Sequence, residues 1–241
     1  MRLSIVVPVY NEAATVGEVL ARVLALPLDK EVIVVDDGST DGTAAAIAAR
    51  GGHELVCLRL DSNRGKGAAI REALARAAGD YVLIQDADLE LAPEEIPQLL
   101  APVLEGRATV VYGSRFLRGR GEAPWANYLG NRLLTGLANV LYGCRLTDVS
   151  TAYKLFPRSL IPQLDLQCAR FEFCPEITAK LRRLGQYIAE VPVTFHPRTS
   201  RHGKKLRYLR DGLRAAWTLL RWRCWQPAPA AAPVPCAPPK T

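Results

Sequence analysis

Two aspartates, Asp86 and Asp88, stand one residue apart at the end of the mostly apolar run Tyr81-Val82-Leu83-Ile84-Gln85. Carboxylates spaced i and i+2 after a buried strand point to one side, provided the backbone stays extended through Ala87. Such a pair suits a hard divalent cation, Mg2+ or Mn2+, which keeps open positions that substrate phosphates fill. The same residues also suit a polar turn leading into the helix that starts at Pro93-Glu94-Glu95. A second pair, Asp36-Asp37, closes the run Glu31 to Val35 and opens the loop Gly38-Ser39-Thr40-Asp41-Gly42. Turn and N-cap chemistry accounts for Asp41 better than for Asp37. Asn63-Arg64-Gly65-Lys66-Gly67 places two cations and two glycines before a helix, a setting in which backbone amides approach an anion. Its spacing matches neither phosphate-loop nor dinucleotide fingerprints, and a plain glycine-rich turn reads equally well.

The elements that must carry these residues alternate. Strands are expected at Leu3 to Val9, Glu31 to Val35, Leu55 to Leu60, from Tyr81, and at Thr109 to Tyr112, separated by helices at Ala14 to Leu26, Thr43 to Arg50, up to Ala78, and Pro93 to Leu104. Four such alternations make an α/β protein with a doubly wound, mostly parallel sheet, whose ligands lie beyond the carboxyl ends of the strands. Glu12, in the turn Tyr10-Asn11-Glu12, sits at that edge. An Arg/Gly-rich stretch from Phe116 to Pro124 reads as a loop over the site. A helix from Trp125 to Tyr142, a strand at Tyr153 to Phe156, a helix at Phe173 to Leu184 and a strand at Tyr187 to Val193 complete the domain.

At 241 residues with ordinary apolar and charged fractions, the chain is long enough for one substantial domain, and no run approaches the eighteen or so apolar residues that span a bilayer. The N-terminal apolar run is too short for a signal peptide, which places the protein in the cytoplasm. Six cysteines contain no C-x-x-C pair, so neither zinc nor a disulfide framework is indicated. The net charge of +7 belongs to one segment: between Arg198 and Arg223, nine basic residues face Asp211. A single basic stretch points to phosphate or an anionic membrane surface rather than to nucleic acid. In it, Leu206, Leu209, Leu213, Ala216, Trp217, Leu220 and Cys224 recur at helical spacing opposite arginines, with Trp222 and Trp225 near the end. That pattern fits a helix lying in a membrane interface and also a helix packed on the sheet. The divisions expected are a domain over 1–205, a basic amphipathic helix over 206–225 and a Pro/Ala-rich disordered tail over 226–241.

Val7-Pro8-Val9-Tyr10-Asn11-Glu12, Val34-Val35-Asp36-Asp37-Gly38-Ser39-Thr40-Asp41, Asn63-Arg64-Gly65-Lys66-Gly67, Asp86-Ala87-Asp88, Gly113-Ser114-Arg115, and Arg198 with Gly203-Lys204-Lys205 together resemble the GT-A family 2 glycosyltransferases. The branch they most resemble is the dolichol-phosphate mannose synthase group, which includes bacterial polyprenyl-phosphate glycosyltransferases. The resemblance implies a GT-A fold and inverting transfer of a sugar from a nucleotide-diphosphate donor, GDP-mannose or UDP-hexose, to dolichyl or undecaprenyl phosphate. It implies donor contacts from Pro8, Tyr10, Glu12, Asp37, Lys66, Asp86, Ala87, Asp88 and Glu90, with Asp86 and Asp88 as the ligands of Mg2+ or Mn2+. Arg115 and Arg132 join the two aspartates as catalytic residues, and Arg115, Arg132, Ser150, Arg198, Lys204 and Lys205 gather around the acceptor phosphate. Mannose synthases often carry Gln at the position of Glu90, whereas many bacterial relatives with other sugars carry Glu, so the resemblance does not choose between the two donors.

A diphosphate leaving group needs charge stabilisation rather than a proton, and a phosphate acceptor is already ionised near neutral pH. The resemblance thus places the protein peripherally on the inner face of a membrane, a separate membrane protein being a further candidate partner. Two other readings fit the same motifs: a family 2 transferase acting on a sugar hydroxyl, and a non-catalytic nucleotide-sugar or membrane-binding module. His196 and His202 read as phosphate or metal contacts or as plain surface histidines beside a basic loop.

Overall fold

The computed structural model describes residues 1–52, 54–198 and 208–227. Its strands are β1 (Leu3–Val9), β2 (Lys30–Asp36), β3 (Leu55–Arg59), β4 (Tyr81–Ile84), β5 (Val110–Ser114), β6 (Lys154–Pro157) and β7 (Ile188–Pro192). Its helices are α1 (Val16–Leu24), α2 (Thr43–Ala48), α3 (Lys66–Leu74), α4 (Ile96–Leu104), α5 (Trp125–Tyr142), α6 (Ile161–Leu164), α7 (Phe173–Arg183) and α8 (Tyr208–Arg221). One sheet runs β3-β2-β1-β4-β6-β5-β7. All neighbours pair in parallel except β6, which is antiparallel to both β4 and β5. This is the doubly wound, mostly parallel sheet expected.

Every residue of β1 and β2 is buried, because helices cover both faces and the two strands are near-continuous Val/Ile runs. Val16, Val19, Leu20 and Val23 of α1 and Leu99 and Leu100 of α4 pack one face. Ala69, Ile70, Ala73 and Leu74 of α3 and Phe173, Ile177 and Leu181 of α7 pack the other.

The direction of β6 matters for the site. Because β6 opposes β5, the chain leaves β5 at the carboxyl edge of the sheet and returns to β6 at that same edge. The whole excursion 115–153, α5 included, therefore begins and ends beside the crevice where ligands of such sheets bind.

Two expected elements differ in detail. Extended structure ends at Ile84, and 87–90 is turn, with Leu89 at φ 61°. The helix expected from Pro93 is a 3-10 turn at Pro93–Glu95 followed by α4. The C-terminal amphipathic helix is present as α8, and Ala215, Leu219 and Trp222 are buried against α5 and α7. Burying Leu219 and Trp222 contributes about 1.5–3 kcal/mol each, so α8 is attached to the domain by a core of its own. Among the described residues no helix is long and apolar enough to cross a membrane. The expected tail lies outside the described residues from 228 onward.

Candidate functional site

The crevice opens where β1 and β4 part. Their ladder ends with the Gln85 N–H donating to the Val6 carbonyl, 2.9 Å away. Two residues on, Pro8 would face β4 with an N–H it does not have, so nothing continues the pairing and the strands separate. Asn11 then takes φ 49°, a left-handed conformation that Asn tolerates better than most residues. Its N–H donates to Ser39 Oγ and its Oδ1 accepts from the Thr40 N–H, each at 2.9 Å. The Glu12 N–H donates to Thr43 Oγ1, also at 2.9 Å. The loops after β1 and β2 are thus one unit, with half-buried Tyr10 and Glu12 on it.

Asp37 is buried and accepts the N–H of Arg64 and of Gly65, both at 2.7 Å. Expected as a nucleotide contact, it also fixes the loop that opens α3, taking one N–H on each oxygen. The glycines of that loop also have a packing cause. Gly65 has φ 100°, and a Cβ there would lie 2.5 Å from the Ala169 carbonyl. A Cβ on Gly67 would meet the Cys168 carbonyl. The backbone that approaches these glycines is segment 168–170, and the Ala68 N–H donates to Ala169 O at 3.0 Å.

Held between those two glycines, Lys66 sends Nζ to Asp86, 2.6 Å from Oδ1 and 2.8 Å from Oδ2. Burial works against its charge, but Asp86 outweighs it and holds the ammonium above its ordinary value. Asp88 engages a different cation, Arg198, at 2.8 Å. The same guanidinium lies 2.9 Å from Glu12 and 4.0 Å from Glu90. Asp88 also accepts the Glu90 N–H at 3.1 Å, closing the turn in which Leu89 is left-handed. Half-buried Thr15 ties Ala87 in place, donating to its carbonyl at 2.7 Å. Asp86 and Asp88 therefore share the crevice although the strand does not extend through Ala87. Segment 195–198 runs beside the turn, through a bridge between Leu91 and Phe195 and a bond from the His196 N–H to the Glu90 carbonyl. The His196 side chain is exposed.

Both aspartates are half-buried oxygen donors at the sheet's carboxyl edge, each neutralised by one flexible cation; that set suits Mg2+ or Mn2+. Among the described residues no group of three His, Cys, Asp or Glu side chains is arranged to hold a metal.

Arg115 lies across the crevice in a different setting. Its Nε and one terminal nitrogen bind Asp148 at 2.7 and 2.9 Å, and its own N–H donates to the same carboxylate at 3.1 Å. Its guanidinium also stacks near Phe116 and Phe195, 5.2 Å from each ring centroid. Burial lowers its pKa, but Asp148 more than reverses this. Asp148 is itself held through its N–H by Glu190 at 3.0 Å, and Glu190 accepts the Thr147 N–H and hydroxyl as well. Arg132 sits exposed on α5 and is not brought against the aspartates; Ser150 is half-buried in the turn after Val149. Lys204, Lys205 and His202 lie outside the described residues.

The loop 116–124 is pinned at both ends by buried Phe116 and Ala123. Beyond it, α5 presents Trp125, Leu129, Leu133 and Val140 to solvent, at 63%, 53%, 77% and 84% exposure. Their spacing of four, four and seven puts them on one stripe. The adjoining α8 exposes Leu213, Trp217 and Leu220 opposite its buried face. The stripe expected in α8 is thus exposed only in part, and α5 carries a second exposed apolar stripe that was not expected. Asp148 and Glu190 were likewise not singled out, since their partners are remote in sequence, and neither were Glu176 and Lys154, whose burial the local pattern does not show.

Residues 4–164 match the family model described as Glycosyl transferase family 2. The chain is 34% identical over 211 residues to dodecaprenyl-phosphate galacturonate synthase of Rhizobium johnstonii, covering 82% of this chain and 60% of that protein. It is 33% identical over 188 residues to undecaprenyl-phosphate 4-deoxy-4-formamido-L-arabinose transferase of Aeromonas hydrophila, covering 75% and 56%. It is 33% identical over 203 residues to low-salt glycan biosynthesis hexosyltransferase Agl6 of Haloferax volcanii, covering 81% and 48%. The chain spans about half the length of these curated relatives. Among solved structures it is similar to glucosyl-3-phosphoglycerate synthase from Mycobacterium tuberculosis in complex with Mn2+ and UDP-glucose, with TM-score 0.70, 27% identity, and 94% of this chain and 80% of that one covered. The parting strands, the paired aspartates at their carboxyl edge, the family model and these relatives agree: the chain belongs to glycosyl transferase family 2 and has the GT-A fold.

Proposed function

We propose that the protein transfers a sugar from a nucleotide-diphosphate donor to a polyprenyl phosphate at a membrane surface, with inversion at the sugar carbon and dependence on Mg2+ or Mn2+. The observation that carries this reading is the crevice in which Asp86 and Asp88 each meet a separate flexible cation, Lys66 and Arg198. Relatives named for dodecaprenyl and undecaprenyl phosphates support the acceptor class, and the Mn2+ and UDP-glucose complex of a similar structure supports the donor class.

Asp86 and Asp88 would hold the divalent ion, which supplies charge neutralisation for the departing diphosphate. Lys66 and Arg198 are half-buried, so each can exchange its carboxylate partner when the ion arrives, Lys66 for a donor phosphate oxygen and Arg198 for a donor or acceptor phosphate oxygen. Tyr10, Glu12 and the 87–90 turn with Glu90 would line the nucleotide and sugar, and Pro8 and Asp37 would shape the loops around them. Arg115, fixed by Asp148, would present a set positive charge on the acceptor side, where Ser150, Arg132, Lys204 and Lys205 would add contacts to the lipid phosphate. An ionised phosphate oxygen is already a nucleophile, so no side chain need take a proton.

The exposed stripes of α5 and α8 support a membrane-docked enzyme. A polyprenyl chain leaves the bilayer only at about 0.8 kcal/mol per methylene, so the crevice must come to the headgroups. Trp125 and Trp217 are interfacial residues by character, and Arg210, Arg214 and Arg221 flank the α8 stripe. The test is transfer of radiolabelled sugar from UDP- and GDP-sugars into an organic-extractable product with undecaprenyl phosphate present. Label that appears only in oligosaccharide, or only in a phosphorylated small acid, refutes the lipid acceptor.

A further inference from the structure

Glu176 and Lys180 form an ion pair at 2.8 Å on α7 in which both side chains are fully buried. Taking two charges out of water costs several kcal/mol per ion, and apolar side chains of similar volume commonly serve stability as well or better. The pair therefore calls for a role other than holding α7 in place, and its remaining contacts indicate one. Glu176 accepts the N–H of Gln167 and of Cys168, each at 2.8 Å. Those two amides lead directly into segment 168–170, whose carbonyls crowd Gly65 and Gly67 and accept the Ala68 N–H. Lys66, between the two glycines, is the residue whose Nζ reaches Asp86.

The other end of the pair reaches the C-terminal helix. Lys180 Nζ donates to the Asp165 carbonyl and lies 3.9 Å from the ring centroid of buried Trp222 and 5.2 Å from that of Trp225. Among aromatic rings, a tryptophan face attracts an ammonium most strongly, and more so where water is excluded. Packed segments thus run without a break from α8 through Lys180, Glu176 and 167–169 to Lys66 and Asp86.

We infer that Glu176 is a positioning residue for the diphosphate end of the donor site, acting through segment 167–169 on Lys66, and that the 3-10 turn Trp222–Cys224, which continues α8, clamps it through Trp222 and Lys180. The inference rests on the donor-site reading above. It gives the C-terminal helix two tasks on its two faces: Leu213, Trp217 and Leu220 outward, and Trp222 inward toward the donor loop.

The test is calorimetric binding of UDP and GDP in Mn2+ to the full chain, in a double-mutant cycle. Glu176→Gln replaces one acceptor oxygen with an amide donor facing a backbone N–H, and is expected to weaken binding about tenfold. In a Lys66→Met background the same substitution is expected to cost less than twofold, because the residue it acts through is gone. The pair Glu176→Leu with Lys180→Met removes the charges but keeps volume; it should lower the melting temperature less than Glu176→Gln, which leaves Lys180 charged and unpaired, and still lose about tenfold in affinity. Trp222→Leu, which acts from the far end, should lose about threefold and serves if Glu176→Gln does not fold. Equal losses in both backgrounds, or unchanged affinity in the Leu/Met pair, overturn this inference alone. A wild-type protein that binds neither nucleotide overturns the donor-site reading and this inference with it.

Discussion

Arg198 and Arg115 both reach carboxylates at the carboxyl edge of one sheet, and both are mostly shielded, at 20% and 17% side-chain exposure. Their partners differ. Asp88, beneath Arg198, is itself partly open, and the guanidinium divides itself among Asp88, Glu12 and Glu90. Asp148, beneath Arg115, is fully buried, engages the guanidinium at two points, and is fixed from behind by Glu190. One arginine can change partners at the cost of a shared, partly solvated contact; the other cannot move without leaving a buried carboxylate unpaired. The Arg198 side of the crevice is therefore built for exchange and the Arg115 side for a fixed charge.

Substitutions should separate the two sides. The largest effect is expected from Asp88→Asn, which removes one of the two carboxylates proposed to hold the divalent ion: kcat should fall by roughly a thousandfold or more while the melting temperature stays put. Activity within about threefold of wild type would make the aspartate pair merely structural. Arg198→Lys keeps the charge but loses the fork, so steady-state assays should record a drop in kcat/KM of about ten- to a hundredfold, again without a stability change. Arg115→Lys should instead show itself in denaturant titration, as a loss of about 2–4 kcal/mol, because Asp148 keeps its burial and loses its bidentate partner. A stable but inactive Arg115→Lys protein would erase the contrast.

Outside the crevice, the exposed stripes can be tested without touching either arginine. Truncation before α8 is a poor probe, since it would uncover Ala138 and Ala179 beneath Leu219 and Trp222. Replacing Trp217 and Leu220 with Ser should lower partitioning to anionic vesicles about tenfold and leave UDP or GDP binding intact.

The smallest effect concerns Lys154, which is fully buried on β6 with Nζ bonded to the Val149 carbonyl at 3.0 Å and 3.7 Å from the Tyr112 ring centroid. Burial pushes its pKa down to about 8. Between that value and its unfolded value the unfolded chain binds the proton and the folded chain does not, so stability rises with pH across the window from about 8 to about 10.5. Wild type should therefore gain about 1–3 kcal/mol relative to Lys154→Met between pH 7.5 and pH 10. A flat difference would mean that Lys154 keeps its ordinary pKa in the fold.

How much of this was legible in the sequence follows the same division. β1 and β2 are apolar on both faces, so their strands and the carboxylates at their ends are visible locally. Asp86 and Asp88 were legible for the same reason, although they meet in a turn rather than along an extended strand. Arg115 was named by the resemblance, but the carboxylates that fix it were not legible, because Asp148 stands 33 residues from Arg115 and Glu190 stands 42 from Asp148. Nothing in the local pattern of β6 states that it runs antiparallel, and that reversal is what brings α5 to the crevice. Gly65 and Gly67 were legible as special but not why, since the backbone they admit comes from 168–170. In α8 the helical period was plain, but one period cannot say which of two apolar faces meets protein and which meets solvent.

The central claim is that Asp86 and Asp88 take a divalent ion together with the donor diphosphate, displacing Lys66 and Arg198. Electron paramagnetic resonance of Mn2+, titrated into the protein with and without UDP or GDP, tests it most directly. The account predicts one bound Mn2+ per chain that tightens at least about tenfold when the matching nucleotide is present, and loss of that tightening in Asp86→Asn and in Asp88→Asn. Nucleotide-dependent Mn2+ binding that survives both substitutions would contradict it.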